Sequence, residues 1–374
     1  MRLAILGTRG IPAQYGGFET FAERLAIGLR QRGLDVTVFC ESGAATPPTE
    51  FQGVRLRYVF APPLGPLKTI LYDVRCLWAA RNGYDVVYML GYGAAPFCLI
   101  PRLWKTEVWI NPDGIEWARA KWGSLARTYF HLMEWSCLRT ANRIIADAAA
   151  IADSLASRHG RFPNCSFIPY GCEIVDAPPS AEPLDDWGLV KGGYYLVVCR
   201  LEPENHVLEM LQAFQQSQSR RQLIVVGNHL AGTRYIDQII AVRDPRIQII
   251  GAVYDQVKLT ALRFHSFAYL HGHSVGGTNP SLLEAMGCGN LIFAHDNAFN
   301  RETLGPCGFF FKDAEELTRT MDRAEVEESD LARLKQAARL RARTHYNWPD
   351  IISRYLKLLE DVAGNHSDCE FTVQ

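Results

Sequence analysis

The feature that most constrains this chain is an alternation of short apolar runs with amphipathic segments of helical period, and it occurs twice. Arg2–Leu6, Val36–Cys40, Val54–Phe60, Asp85–Leu90 and Glu107–Ile110 read as strands. Thr20–Arg32, Thr69–Asn82, Leu125–Thr140 and Ala148–Arg158 read as helices. In the first of these, Phe21, Leu25 and Leu29 repeat at the spacing of one helix face, and Gly33 stops it. Asp176–Asp186, rich in proline and acid, then breaks the pattern. The alternation restarts with Tyr194–Cys199, Gln222–Gly227, Arg246–Ile250, Phe267–His271 and Asn290–Ala294. Strands separated by helices make parallel sheets covered on both faces. The predicted architecture is therefore α/β: two tandem doubly wound Rossmann-like domains facing a cleft, residues 1–176 and 191–348, joined by a linker at 177–190. A last helix, Pro349–Val362, is expected to cross back to the first domain, within 349–363. Ligands of doubly wound sheets sit beyond the carboxyl ends of the strands, so the loops that follow strands are the ones to read.

Composition removes several classes of function. Among 374 residues, 39 Lys/Arg face 40 Asp/Glu, a balance unlike that of a general nucleic-acid binder. Residues 1–176 carry 19 Lys/Arg against 15 Asp/Glu and the remainder 20 against 25, so a mildly basic first half could suit an anionic surface or a phosphorylated acceptor, or reflect chance. The 10 cysteines form no Cys-x-x-Cys pair and no Cys/His cluster of zinc spacing, and Leu3–Leu6 is too short for a secretory leader. The expectation is a reduced cytoplasmic protein. Ala94–Ile100, the most apolar stretch, falls far short of the roughly 20 residues that cross a bilayer, leaving at most peripheral membrane contact.

Five post-strand loops carry candidate chemistry. Gly7–Glu19 holds four glycines, with Gly16 and Gly17 before a helix start that favours anions, so these two are expected to meet ligand. It lacks both the Gly-x-Gly-x-x-Gly fingerprint and the Gly-Lys-Ser/Thr ending. His271–Met286 is the richest: Gly276, Gly277 and Thr278 precede an N-cap Asn279 and a Pro280 at the first helical position. The N–H groups of Ser281 and Leu282 then point toward an anion, a diphosphate cradle without a metal, with His273 beside it and Glu284 one turn on for sugar hydroxyls. Arg200, at a strand end, is a natural diphosphate clamp, or a surface partner of Glu202 or Glu204. Val253 and Tyr254 follow another strand and could meet a base. Asn111–Trp117 offers Asp113 and Glu116, followed by Arg119, Lys121, Trp122 and Arg127, a basic and aromatic mixture seen in membrane-surface segments and also in solvated helix faces. No Asp-x-Asp occurs, and no third ligand accompanies His271 and His273, so no metal site is expected.

At these motifs the sequence resembles the GT-B-fold retaining glycosyltransferases of family 4, and within them the bacterial β-1,4-rhamnosyltransferase-like group of polysaccharide synthesis. Gly7–Thr20, Asp113–Trp117, Arg200–Asn205 and His271–Ala285 carry the resemblance, in order, over residues 1 to about 360. It implies transfer of a sugar, L-rhamnose from dTDP-rhamnose, to a saccharide acceptor linked to a lipid diphosphate, without cofactor or metal, at the inner face of the plasma membrane. It also implies catalytic roles for Arg200, Asn205, Asp113 and Glu284, and acceptor contacts through Glu116 and Arg9. Two positions depart from the wider family: Gly276 stands where a glutamate is usual, and Asn205 where a lysine is. These departures keep alternatives open: a UDP- or GDP-sugar donor, a sugar-nucleotide epimerase of the same fold, or a subunit that binds donor without turnover. A nicotinamide oxidoreductase is disfavoured by the missing fingerprint.

Overall fold

The computed structural model describes the chain except residues 14–15, 44–46, 66, 113, 119–121, 161, 163, 231, 327–329 and 371–374, and the side chains of 365–370. The chain divides into two units, the first made of Met1–Tyr170 with the segment from Trp348 onward, the second of Gly171–Asn347.

In the first unit, β1 (Arg2–Leu6), β2 (Asp35–Glu41), β3 (Glu50–Phe51), β4 (Val54–Val59), β5 (Val86–Leu90), β6 (Glu107–Asn111), β7 (Arg143–Ala146) and β8 (Cys165–Phe167) form one sheet in the order β3-β4-β2-β1-β5-β6-β7-β8. Only the β3–β4 pair is antiparallel. The middle strand β5 is buried at every residue, as a parallel strand covered on both faces must be. The helix Gly17–Gln31 buries Phe21, Leu25 and Leu29, the stripe its periodicity predicts. The final helix, Trp348–Glu370, is part of this unit's core. Tyr355 Oη lies 2.9 Å from Tyr88 Oη, and the Phe21 ring packs at 5.9 Å from Tyr355 and 6.3 Å from Trp348. Ile352 fills the space over Gly28, where an added Cβ would come within 2.1 Å of it. The expected return of this helix is thus observed.

In the second unit β9 (Tyr194–Val198), β10 (Gln222–Val226), β11 (Ile247–Gly251), β12 (Ala268–His271), β13 (Leu291–His295) and β14 (Phe309–Phe311) form a wholly parallel sheet in the order β11-β10-β9-β12-β13-β14. The order reverses between β9 and β12, so the loops leaving these neighbours diverge and open a site at their carboxyl ends. The acidic, proline-rich segment before β9 does not hang free. Pro179 O accepts a hydrogen bond from His265 Nε2 at 2.9 Å, Asp186 pairs with Lys258 at 2.5 Å, and Leu184 is buried in a 3-10 turn at Glu182–Trp187.

Candidate functional site

The loops leaving β9 and β12 are joined by hydrogen bonds. Asn205 Nδ2 donates to Arg200 O at 2.7 Å, and Asn205 Oδ1 lies 2.7 Å from His273 Nδ1. An amide oxygen only accepts, so this contact places a proton on His273 Nδ1. The approach needs Gly272, because a Cβ there would lie 2.1 Å from Asn205 O. Asn205 is therefore a buried brace between the two loops. His273 O is held in turn by the side-chain amides of Asn297, at 3.0 Å, and Asn300, at 2.8 Å.

Gly276 adopts φ +141°, and a Cβ at that position would come within 2.8 Å of His273 Nε2. The imidazole thus occupies the space a side chain at 276 would take. His206, held in the left-handed region at φ +49°, stacks on His295 with ring centres 4.4 Å apart, and its Nε2 lies 3.0 Å from Ser274 Oγ. Deeper in, burial, aided by neighbouring His295, drives the His271 ring down to about 3, so it stays neutral.

Arg200 leaves β9 exposed to solvent, its Nη2 3.4 Å from Glu202 Oε2. Glu284 is one turn into the helix Pro280–Gly287 and is gripped by Arg263, whose Nη2 lies 2.5 Å from Glu284 Oε2. The side chains differ in exposure, 4% for Arg263 and 30% for Glu284, so the guanidinium is a buried support and the carboxylate faces outward. Arg263 also donates to Ser281 Oγ at 3.3 Å, and Ser281 Oγ donates to Val198 O at 2.9 Å, tying this helix to β9.

Hydrogen bonds within the protein bear on two of the expected anion contacts. The N–H groups of Ser281 and Leu282, read from sequence as donors for an anion, are spent on Asn279: Ser281 on its Oδ1 at 2.9 Å, Leu282 on its O at 3.1 Å. The N-cap works as a cap. In the first unit, two amides of the loop after β1 are taken by carboxylates. Arg9 N donates to Glu19 Oε1 at 3.0 Å and Ala13 N to Glu23 Oε2 at 2.6 Å. A Cβ on Gly16 would lie 2.5 Å from Glu19 Oε2, so Gly16 and Gly17 stand beside a carboxylate.

The remaining residues fall as follows. Val253 is half-buried and Tyr254 exposed after β11, ahead of Asp255, which caps the next helix by accepting from Val257 N at 2.8 Å. Thr278 is buried. Glu116 accepts from Trp122 Nε1 at 3.0 Å, while Asp113, Arg119 and Lys121 lie outside the described residues. Trp117 donates to Glu134 Oε2 at 3.0 Å. Burial pushes the Glu134 carboxyl up, but hydrogen bonds from His159, Arg158 and Trp117 outweigh it and leave the group below its ordinary value. Arg263, Asn297, Asn300, Glu19 and Glu23 were not singled out from sequence. Only Asn297 carried a local signal, as the N-cap of Ala298–Leu304.

Residues 187–341 match the family model described as glycosyl transferases group 1, and residues 1–173 match a domain of unknown function, DUF1972. The second unit thus carries a group 1 glycosyl transferase domain, and the chain as a whole has the GT-B fold. Sucrose-phosphate synthase from Thermosynechococcus elongatus superposes with a TM-score of 0.82 at 17% identity, covering 97% of this chain and 99% of that one. Anabaena HepE, solved with UDP-glucose, gives 0.77 at 17% identity, with 96% and 100% covered. The α,α-trehalose 6-phosphate synthase of Burkholderia multivorans gives 0.71 at 14% identity, with 99% and 98% covered. No curated protein matches the sequence.

Proposed function

We propose that this chain is a retaining glycosyltransferase that moves a sugar from a nucleoside diphosphate to an acceptor hydroxyl. The observation that carries the reading is that Arg200 follows β9 and an Arg263-braced Glu284 follows β12, the two neighbouring strands at which the order of a group 1 domain reverses. Arg200 would leave Glu202 for the donor diphosphate. An exposed ion pair of this kind is worth at most about 1 kcal/mol, so the exchange costs little. The Gly276–Gly277 amides would meet the same phosphates, Glu284 would accept from sugar or ribose hydroxyls, and Tyr254 would meet the base.

As the bond from the anomeric carbon to the leaving phosphate oxygen breaks, charge collects on the diphosphate, where fixed donors stabilise it most. The acceptor oxygen bonds to the same face, and its proton passes to the departing phosphate oxygen. Neither a metal nor an enzyme nucleophile is required by this sequence of events. Asn205 acts through His273, holding its Nδ1–H so that Nε2 faces Gly276.

The donor is dTDP-rhamnose in this reading. With an imidazole filling the space at Gly276, the pocket suits a deoxyhexose, which has one hydroxyl fewer to hold. HepE was solved with UDP-glucose, and a trehalose-phosphate synthase from Burkholderia xenovorans with glucose-6-phosphate, so relatives of this fold meet nucleotide sugars and sugar phosphates. Here the Glu19 and Glu23 carboxylates favour a neutral, hydroxyl-rich acceptor terminus, such as the outer sugar of a lipid-diphosphate-linked saccharide at the cytoplasmic face of a membrane. The test is nuclear magnetic resonance of the product formed from dTDP-rhamnose and such an acceptor. A glycoside that keeps the donor's anomeric configuration is expected. An inverted glycoside, or epimerised donor without transfer, contradicts the reading.

A further inference from the structure

The face of the first unit at the end of β4 and along the helices Leu67–Ala79, Leu99–Leu103 and Ser124–Thr140 exposes large apolar side chains. Trp78 is 55% exposed, Phe60 57%, Leu103 78% and Trp104 46%, and the Trp78 and Trp104 rings meet edge-on at 6.3 Å. Between Phe60, Val74, Trp78 and Ile100 an apolar hollow of about 450 Å³ opens, with Arg75 at its wall. Contiguous exposed apolar surface of this kind marks an interaction site.

The arginines of this face decide what it meets. Arg75 lies 5.5 Å from the Phe60 ring centre and Arg81 4.7 Å from that of Trp78. Arg102 donates to Thr140 O at 2.9 Å and so reaches the end of the neighbouring helix, where Arg139 lies 3.7 Å over Trp135. Among the described residues none of these four guanidiniums pairs with a carboxylate. The one acid on the helix of Arg75, Asp73, is buried, and burial raises its carboxyl to about 8; Glu134, on the helix of Arg139, is buried against Arg158 and His159.

We infer that this face docks on an anionic lipid surface. Trp and Phe rings suit the boundary between headgroup and hydrocarbon, and Arg stems lie along apolar surface while their heads meet phosphate. A second copy of the chain is the poorer occupant. A two-fold interface would set this patch against itself and desolvate the same unpaired arginines together. No helix of the described residues is long and apolar enough to cross a membrane, so the contact is lateral. The inference needs no assumption about donor sugar or turnover.

The experiment is co-sedimentation of the full chain with phosphatidylcholine vesicles and with vesicles in which a third of the lipid is phosphatidylglycerol. Binding to the anionic vesicles, weakened by salt, is expected. The variant R75E/R81E/R102E should lower affinity on the order of 100-fold or more, while W78S/W104S should lower binding with the charge intact. Both should keep the wild-type circular dichroism spectrum and unfolding midpoint, which serve as the check on folding. Equal affinity of wild type and the arginine variant for anionic vesicles would overturn the proposal. So would a stable dimer in sedimentation velocity that the same substitutions dissolve, without vesicle binding.

Discussion

Arg200→Ala is expected to lower turnover on the order of 100-fold or more while leaving the unfolding midpoint unchanged. One fixed donor aimed at charge that develops in the transition state is worth about 3 kcal/mol. Among the described residues the Arg200 head group pairs with Glu202, at 3.4 Å, with 41% and 29% of the two side chains exposed. Such a pair contributes little to folding, so activity and stability separate at this residue. Arg200→Lys should recover part of the loss, because an ammonium supplies charge without the forked geometry that grips a diphosphate. Turnover of Arg200→Ala within a few fold of wild type would remove the clamp from the mechanism.

The second large effect concerns Glu284 and Arg263, and the two partners should respond unequally. Removing the carboxylate in Glu284→Ala leaves the guanidinium of Arg263 buried, with Nε lacking a partner and only Ser281 Oγ at 3.3 Å. An uncompensated buried charge costs about 3 kcal/mol. Arg263→Met instead removes the buried charge and leaves Glu284, 30% exposed, able to take water, at about 1 kcal/mol. Both variants should lose at least tenfold in turnover, since the carboxylate is absent in one and unaimed in the other. Urea unfolding read beside kcat checks this. A greater loss of stability in Arg263→Met than in Glu284→Ala would contradict the buried-support role of Arg263.

Much of this was legible in the sequence, for physical reasons that differ by element. β1 coincides with the apolar run Arg2–Leu6 because a strand buried on both faces writes its full length in hydrophobicity. Arg143–Ala146 and Cys165–Phe167 went unseen because strands of four and three residues, the second a partly exposed edge, leave little pattern. In the site, Arg200 and Glu284 stood out as polar residues beside strand ends and glycines. Arg263 did not, because an arginine on an amphipathic helix, Gln256–His265, reads as a solvated face until packing buries it. The competition for amides was also invisible. Asn279 marks a helix start in sequence, but only the fold shows that it takes the N–H groups an anion would need. Likewise Glu19 and Glu23 look like ordinary first-turn and surface acids until the β1 loop folds back onto them.

The central claim is that the second unit binds a nucleoside diphosphate sugar without a metal. It is tested most directly by thermal unfolding of the chain against nucleotides and nucleotide sugars in the presence of a chelator. A ligand specific to the folded state adds about 2.7 kcal/mol of apparent stability at a hundredfold excess over its Kd. The account predicts that dTDP and dTDP-rhamnose raise the unfolding temperature, that UDP- and GDP-sugars raise it less, and that Arg200→Ala abolishes the response. A response to NAD alone, or to no nucleotide at all, would contradict it.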